Sequence, residues 1–279
     1  MSTHVLLRLA GAGCVTVVLF AAAGTPSAQI AEQRLHLNPV IAKLAEGRTV
    51  YGLQAGIEMS IGSARAAMAR FPPEADQSAW VVKQALDMGL HGVFFNGVDT
   101  PEQALLAVGY MRYPARRDAK YPQPRGVRGA GSGNATWIWG VTTDEYERHA
   151  DLWPLNPDGD LLATMMIESV EGLANVDKIA ATPGVGSLFL GAANDLAHSL
   201  GVPSDHPDVE MARQKILTAC RTHKIACNIT ANTADEIVKR VSEGWHMIRT
   251  TVPAINAARA RLKDPKTAPP PADPFVLPR

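Results

Sequence analysis

Two stretches decide the fold: residues 161–172 read LLATMMIESVEG, and residues 187–196 read SLFLGAANDL. Each is an apolar run of strand length that ends close to an acidic residue, Glu168 in the first and Asp195 in the second. Strands that alternate with helical patterns, as they do here, are typical of a parallel sheet. Because the carboxyl ends of parallel strands lie on one side of a barrel, we expect both carboxylates to face the same cavity.

The same alternation continues along the chain. It predicts seven strands, over residues 50–56, 67–71, 92–96, 161–168, 187–191, 226–231 and 245–251. A capping box at Thr100-Pro101-Glu102-Gln103 predicts a helix that ends at Met111, and a second helix opens at 204–208 and runs to about Thr222. The expected fold class is therefore α/β, a TIM-type (β/α)8 barrel that is incomplete, with about seven strands.

One long segment, residues 112–157, is rich in Gly, Pro and Trp and has no clear periodicity. It predicts an elaborated loop with a short helix near 143–150, and loops of this length are usually functional or oligomeric. The run Trp137-Ile138-Trp139 within it is either an interface or lid, or packs against the barrel rim. The sequence leaves these alternatives open.

The two ends of the chain differ from its middle. Residues 1–8 carry one Arg and one His, residues 9–23 are apolar, and Pro26-Ser27-Ala28 offers a cleavage site. We therefore expect three parts: a signal peptide over 1–28, a barrel domain over 29–263 and a Pro-rich tail over 264–279. A signal peptide predicts a secreted or periplasmic protein, and no later segment is long and apolar enough to span a membrane.

Composition and absent motifs exclude several functional classes. The chain has 27 basic and 27 acidic residues, 46% hydrophobic residues and no basic surface that would predict nucleic-acid binding. The residue sets of zincins, thiol-redox proteins, α/β-hydrolases and P-loop proteins are missing. Cys220 and Cys227 either pair in an oxidising compartment or lie separately in the core.

Glu168 and Asp195 carry the predicted chemistry. Paired carboxylate oxygens at the end of a barrel suit a hard divalent cation such as Mg²⁺ or Mn²⁺, with coordination positions left open for a substrate. The alternative is that each acid only stabilises the amino end of the helix that follows it.

A set of short motifs resembles the HpcH/HpaI aldolase family over about residues 37–260. In the order and spacing of that family, the motifs are NGVDT at 96–100, RYP at 112–114, GVRG at 126–129, MIESVEG at 166–172, PGVG at 183–186, FLGAANDL at 189–196 and ITAN at 229–232. The resemblance implies a metal-dependent class II aldolase that makes or breaks a C–C bond next to a pyruvate-type enolate.

The resemblance also assigns roles to individual residues. Glu168 and Asp195 would be the ligands of Mg²⁺ or Mn²⁺, and Arg70 would be the catalytic residue that holds the oxygens of the oxo acid. Gly191 and Ala192 would bring backbone N–H groups close to the substrate carboxylate. The implied partners are a small 2-oxo acid, an aldehyde and further copies of the chain in a homo-oligomer.

The chain departs from the family between its first two predicted strands. Family members carry a strand of the type D-x-E-H there, with a histidine that assists proton transfer, but here only the 13 residues 57–69 are present. One parallel crossover fits in that length, whereas two crossovers and a strand do not. The second βα unit is therefore expected to be missing, and the barrel would close irregularly, be covered by a partner or fold poorly.

Two functional hypotheses follow. The first is a metal-dependent aldolase that cleaves or forms a 4-hydroxy-2-oxo acid through a pyruvate enolate. The second is a catalytically impaired family member that binds a metal and a small oxo acid without efficient turnover. His198, three residues after Asp195, is the hypothesised substitute for the missing histidine.

Overall fold

The computed structural model describes residues 36–53, 67–73, 78–191 and 193–262. The predicted signal peptide, the predicted Pro-rich tail and Ala192 lie outside the described residues. Within the described part of the chain, the helices are all too short or too polar to cross a bilayer.

The seven described strands form one parallel sheet in the spatial order β1-β7-β6-β5-β4-β3-β2. Their bounds are Val50–Leu53 (β1), Met68–Phe71 (β2), Gly92–Phe95 (β3), Leu162–Met166 (β4), Ser187–Leu190 (β5), Ala226–Thr230 (β6) and Met247–Thr250 (β7). Strands adjacent in sequence are paired, except that β1 pairs with β7 and leaves β1 and β2 at the two edges. This order is that of a TIM-type barrel opened between β1 and β2. The prediction of an incomplete α/β barrel with seven strands is confirmed.

Ten helices flank the sheet in the described residues. They are α1 (Pro39–Ala45), α2 (Ser78–Asp87), α3 (Pro101–Met111), α4 (Ala135–Trp139), α5 (Thr143–His149), α6 (Val170–Ala181), α7 (Asn194–Leu200), α8 (Pro207–His223), α9 (Ala234–Ser242) and α10 (Val252–Arg259). The predicted capping box is present at α3, where the Thr100 hydroxyl accepts from the Gln103 N–H and the Gln103 side chain accepts from the Thr100 N–H.

The main core lies between the outer face of the sheet and the helices. Side chains of this face are apolar and buried, for example Val93, Phe95, Leu188, Leu190 and Ile248. Each fully buried aliphatic or aromatic side chain of this kind contributes about 1.5–3 kcal/mol. The outer helices therefore hold the strands in a curved sheet whose other face is concave.

The amino ends of the strands are closed on the concave face by α1. Ile41 and Leu44 of this helix pack against Val50, Leu162 and Met247 in a second, smaller core. The concave face is therefore apolar at the amino-terminal end of the strands, and this part of it is the floor of the barrel.

The buried carboxylate of Asp160 fastens α1 to this floor. It accepts hydrogen bonds from the backbone N–H groups of Leu37 and Asn38 at 3.0 and 3.1 Å, and its Oδ1 lies 3.2 Å from His36 Nδ1. The Asn38 side chain caps α1 by accepting from the Val40 N–H. Several donors are needed here because an unpaired buried charge costs several kcal/mol.

The long segment that precedes β4 is ordered by two buried arginines. Arg112 donates to both carboxylate oxygens of Asp151, at 2.7 and 3.0 Å. Arg128 donates to Asp87 and to the Tyr146 hydroxyl, both at 2.9 Å. Bidentate and charge-assisted hydrogen bonds are among the strongest in proteins, and they replace regular secondary structure here. The predicted short helix is present as α5, and α4 is an additional helix in the same segment.

Cys220 at the end of α8 and Cys227 in β6 form a disulfide, with their Cα atoms 5.7 Å apart. Both residues are fully buried. Of the two alternatives that the sequence left open, the structure has the paired form.

Candidate active site

The strand register identifies the side chains of the concave face, because residues paired across parallel strands point to the same side of the sheet. Following the pairing from β2 round to β1, the residues of this face nearest the carboxyl ends are Arg70, Phe94, Met166, Phe189, Thr230, Arg249 and Gly52. The face thus changes from an apolar floor to a rim that carries two arginines.

Glu168 lies two residues beyond Met166 and therefore continues the concave face past the end of β4. The N-cap of α6 is Ser169, whose hydroxyl accepts from the Gly172 N–H at 2.9 Å. Because Ser169 caps the helix, the Glu168 carboxylate is available to the site. The alternative of a simple helix cap therefore does not describe this residue.

The surroundings of Glu168 make it an unusual carboxyl. Burial raises its pKa above the ordinary value. The Asp195 carboxylate adds to this rise, whereas Arg70, the backbone N–H of Gly97 and Arg249 counteract it. The net direction is upward. Asp195, Arg70 and Arg249 thus lie near enough to Glu168 to influence its charge.

Asp195 is presented by the loop that follows β5. It lies in the first turn of α7, is exposed, and does not cap that helix, whose N-cap is Ala193. Ala193 has a φ of 65°, a left-handed conformation that costs about 1–2 kcal/mol for a residue with a side chain. Strain of this kind is retained where a loop needs that shape. Here the left-handed conformation of Ala193 sets where α7 begins and therefore where Asp195 lies.

Close packing between α6 and the loop after β3 fixes the position of Glu168. A Cβ atom at Gly172 would lie 2.9 Å from the carbonyl oxygen of Val98, so the helix approaches this loop as closely as only glycine allows. The Ser169 hydroxyl also hydrogen-bonds to Asp99. The glycine in the sequence motif after Glu168 therefore has a packing role.

The other residues predicted from the family resemblance lie around this pair of carboxylates. Arg70 is exposed on the edge strand β2, close enough to Glu168 to influence its charge. Gly191 is buried at the end of β5, where a Cβ atom would lie 3.7 Å from Glu168 Oε1. The prediction for Ala192 lies outside the described residues.

Arg249 is a site residue that sequence reasoning missed. It lies in β7 on the concave face, with its guanidinium carbon 5.4 Å from the centre of the Phe189 ring. Burial and the neighbouring Arg70 lower its pKa, while Glu168 raises it. The sequence held a signal for it, since an arginine at an inward position of a predicted barrel strand is unlike the apolar residues around it.

The donor set fits a hard divalent cation. Two carboxylates on neighbouring βα units supply oxygen ligands, and Mg²⁺ is often held by one or two protein carboxylates while water and substrate fill its other positions. Within the described residues no group of three or more His, Cys, Asp and Glu side chains is gathered into a metal site.

His198 is on the exposed side of α7. His91 precedes β3 at the opposite end of the sheet, and its ring stacks on Trp139 with the ring centres 4.5 Å apart. At the same end, His149 Nδ1 lies 2.8 Å from Asp160 Oδ2.

Two apolar surfaces lie outside the barrel mouth. A groove of about 750 Å³ runs along α3 and is lined by Leu105, Leu106 and Val127, among others. In α4, Trp137 is 81% exposed, whereas Trp139 is partly buried and donates its indole N–H to the Gly89 carbonyl. The Trp-Ile-Trp run is therefore divided between packing and exposure.

Comparison with solved structures supports the topology. The structure of an HpcH/HpaI aldolase/citrate lyase family protein from Burkholderia cenocepacia J2315 is 30% identical with a TM-score of 0.55, over 70% of this chain and 72% of that chain. The HpcH/HpaI aldolase from Desulfitobacterium hafniense DCB-2 has a TM-score of 0.59 at 20% identity, over 79% and 93%. This second likeness shows the fold alone.

Curated relatives share part of their length with this chain. It is 32% identical over 172 residues to the 5-keto-4-deoxy-D-glucarate aldolase of Salmonella paratyphi C (strain RKS4594), which covers 61% of this chain and 59% of the relative. The enzyme of the same name from Escherichia coli (strain K12 / DH10B) is 33% identical, over 58% and 56%. The chain thus spans less than two thirds of the length of these relatives. The family model described as HpcH/HpaI aldolase/citrate lyase matches residues 40–257, and the chain therefore belongs to that family.

Proposed function

We propose that this protein is a divalent metal-dependent carbon–carbon lyase that cleaves or forms 4-hydroxy-2-oxo acids through a pyruvate enolate. The observation that carries the proposal is that Glu168 follows β4, Asp195 follows β5 and Arg70 stands on β2 of a barrel of this family, with Asp195 and Arg70 near enough to influence the charge of Glu168. These groups suit a hard cation and the oxygens of an oxo acid.

Glu168 and Asp195 would hold Mg²⁺ or Mn²⁺. When bound, such a cation would supply positive charge to the enolate that develops as the C–C bond breaks.

The substrate would be held by the surrounding residues. Arg70 would donate its guanidinium N–H groups to the carboxylate and keto oxygens of the oxo acid, for which its planar fork is well shaped. Gly191 leaves space beside Glu168 for the substrate carboxylate. The Met166 and Phe189 side chains form the apolar wall below and reduce the access of water.

One observation favours the alternative of an impaired enzyme that binds a metal and an oxo acid without efficient turnover. Within the described residues, the charged groups with the largest influence on Glu168 are Arg70, Asp195 and Arg249, and none of them is a histidine. General-base assistance contributes about 10²- to 10⁴-fold in rate, so its loss would leave a slow enzyme.

The test is pyruvate release from 4-hydroxy-2-oxo acids by the purified chain without its leader. The assay contains Mn²⁺ or Mg²⁺, and a parallel assay contains EDTA. The substrates tested include 5-keto-4-deoxy-D-glucarate, the acid in the name of the curated relatives. Pyruvate release that EDTA abolishes, and that is lost in Glu168→Gln but kept in Glu171→Gln, supports the proposal. Glu171 is a matched control because it is exposed on α6, three residues away. Metal and oxo-acid binding without release would favour the impaired alternative, and the absence of both would contradict the proposal.

We also propose export and self-association. The disulfide between buried cysteines is what an oxidising compartment permits, in agreement with the predicted signal peptide. The exposed Trp137 and Ile138 are typical of a contact between subunits, as is the apolar groove along α3. Cell fractionation tests the first proposal, and light scattering of the wild-type protein and Trp137→Ser tests the second.

A further inference from the structure

A hydrogen bond joins the two helices that follow the proposed metal ligands. The backbone N–H of Val170, the first residue of α6, donates to the hydroxyl oxygen of Ser199 in α7 at 3.0 Å. Val170 lies two residues after Glu168, and Ser199 lies four residues after Asp195. The bond therefore connects the segment that presents one carboxylate to the helix that presents the other.

The position of Ser199 on α7 makes this bond relevant to Asp195. Residues that are four apart in a helix lie on the same face, one turn from each other. Leu196 and Ala197, on another side of α7, are buried in the main core. The core thus holds α7 against the sheet, whereas Ser199 ties the face that carries Asp195 to the amino end of α6.

The amino end of α6 is itself held in place. The Ser169 hydroxyl accepts from the Gly172 N–H and hydrogen-bonds to Asp99, and the Asn175 side chain donates to the Asp99 carbonyl oxygen at 2.8 Å. These bonds fasten the first turns of α6 to the loop after β3. The first N–H of a helix has no acceptor within that helix, so the Val170 N–H is a fixed donor that a neighbouring element can use.

The spacing of the two carboxylates matters for the choice of cation. Mg²⁺ requires nearly ideal octahedral coordination with oxygen ligands at about 2.0–2.1 Å, whereas Ca²⁺ accepts longer distances and irregular geometry. Two ligands on separate elements meet the requirement of Mg²⁺ only if the elements are held within about 0.5 Å of the right position. Groups that orient ligands without touching the metal therefore affect metal affinity.

We propose that Ser199 is a positioning residue, whose hydrogen bond to the Val170 N–H sets the spacing between Glu168 and Asp195 and so favours Mg²⁺ over the larger Ca²⁺. The inference rests on the proposed function for the metal and its two ligands. Ser199 acts through the placement of α7 and does not touch the cation.

Equilibrium binding of Mg²⁺ and of Ca²⁺ to the metal-free protein, measured by calorimetry without substrate, tests this role separately from catalysis. Ser199→Ala removes the acceptor, and Ser199→Thr keeps it. Val170→Pro removes the donor from the other side of the bond. Proline suits the first position of a helix, and Ser169 before it is already extended (φ −134°, ψ 164°), as a residue before proline must be.

Two further variants complete the experiment. The double variant Ser199→Ala/Val170→Pro lacks both partners of the bond. The matched control is Ser242→Ala, which removes the same hydroxyl from an exposed residue at the end of α9, where it donates to the Lys239 carbonyl of its own helix.

Ser199→Ala and Val170→Pro should each weaken Mg²⁺ binding by about 3- to 10-fold, the effect of one hydrogen bond of ordinary strength. Ca²⁺ binding should weaken less, because Ca²⁺ tolerates a shifted ligand. The double variant should bind Mg²⁺ no more weakly than either single variant, since all three lack the same bond. Ser199→Thr and Ser242→Ala should keep the wild-type ratio of Mg²⁺ to Ca²⁺ affinity.

Other results overturn the role of Ser199. A Ser199→Ala protein with the wild-type affinity ratio excludes it, whether Mg²⁺ binding is unchanged or both cations are weakened equally. If Ser199→Ala does not fold, Val170→Pro decides by the same criterion. Failure of the proposed function gives different results: a wild-type protein that binds neither cation contradicts both proposals, whereas an absence of pyruvate release with the expected affinity ratios contradicts the reaction and leaves the role of Ser199 intact.

Discussion

The Nδ1 atom of His149 lies 2.8 Å from Oδ2 of the fully buried Asp160. The same carboxylate accepts hydrogen bonds from the backbone N–H groups of Leu37 and Asn38, which lie just before α1. Asp160 therefore contacts both the start of α1 and the end of α5. The Asp160 carboxylate raises the pKa of His149 above its ordinary value.

This raised pKa gives a first prediction for stability against pH. A group whose pKa is higher in the folded state stabilises the fold fully below its unfolded pKa of about 6.5, and that stabilisation is lost as pH rises through the folded value. The free energy of unfolding in urea should therefore fall by about 1–2 kcal/mol on the alkaline side of pH 6.5 in the wild-type protein, and His149→Gln should not show this fall. A His149→Gln profile parallel to wild type would contradict the prediction.

His91 should act in the opposite direction. Burial lowers the pKa of His91 to about 4, although Asp160 partly offsets this effect. Its neutral form is thus favoured in the folded state, so stability is present above about pH 6.5 and is lost as pH falls towards 4, by at most about 3 kcal/mol. His91→Phe keeps a ring to stack on Trp139 and should be less sensitive to acid over this range. Equal acid sensitivity of the two proteins would rule out His91 as the cause.

The order of the elements could be predicted from the sequence, since strands such as 161–168 and 187–191 are continuous apolar runs with clear helix starts between them. That the described residues hold seven strands and not eight could also be predicted, because the 13 residues 57–69 cannot hold two crossovers and a strand. These features depend only on the local residue pattern and on the length of a segment, and both can be determined from a single sequence.

Pairings between distant parts of the chain could not be predicted. Asp160 and His36 are 124 residues apart, and no local pattern connects them. Arg249 illustrates the same limit: its strand was predicted, but its nearness to Glu168 depends on the curvature of the whole sheet. Glu168 and Asp195 were accessible because consecutive βα units place their strand ends side by side.

Metal binding should be visible as a gain in stability. A cation present at 100 times its dissociation constant stabilises the folded state by about 2.7 kcal/mol, or roughly 5–10 °C in Tm for a chain of this size. Thermal melts with Mg²⁺ or Mn²⁺ should show this gain for the wild-type protein and for Glu171→Gln. Glu168→Gln and Asp195→Asn should lose it, since each removes one of the two proposed ligands. A gain that persists in both variants would locate the cation elsewhere.

The Cys220–Cys227 disulfide closes a short loop and should contribute modestly to stability. The loop-entropy relation for about eight residues gives about 2–3 kcal/mol. Unfolding in urea with and without dithiothreitol should differ by this amount for the wild-type protein. The double variant Cys220→Ala/Cys227→Ala should not respond to the reductant, although the lost sulfur atoms lower its stability. If the wild-type protein is equally stable in both conditions, the bond contributes nothing.

Arg70 gives the last prediction, because its role depends on the shape of its side chain as well as on its charge. Arg70→Lys keeps the positive charge but loses the planar fork, so kcat/KM for pyruvate release should fall by about 10- to 100-fold, while Arg70→Gln should fall further. The control is Arg213→Lys, for which we expect unchanged kinetics. Arg213 lies in α8, far from Arg70 in the sequence, and pairs with Glu210 at 3.1 Å. Arg70 is exposed at the edge of the sheet, so all three variants should unfold at the wild-type urea concentration. If Arg70→Lys retained wild-type kcat/KM, charge alone would suffice and the fork would have no part in holding the oxo acid.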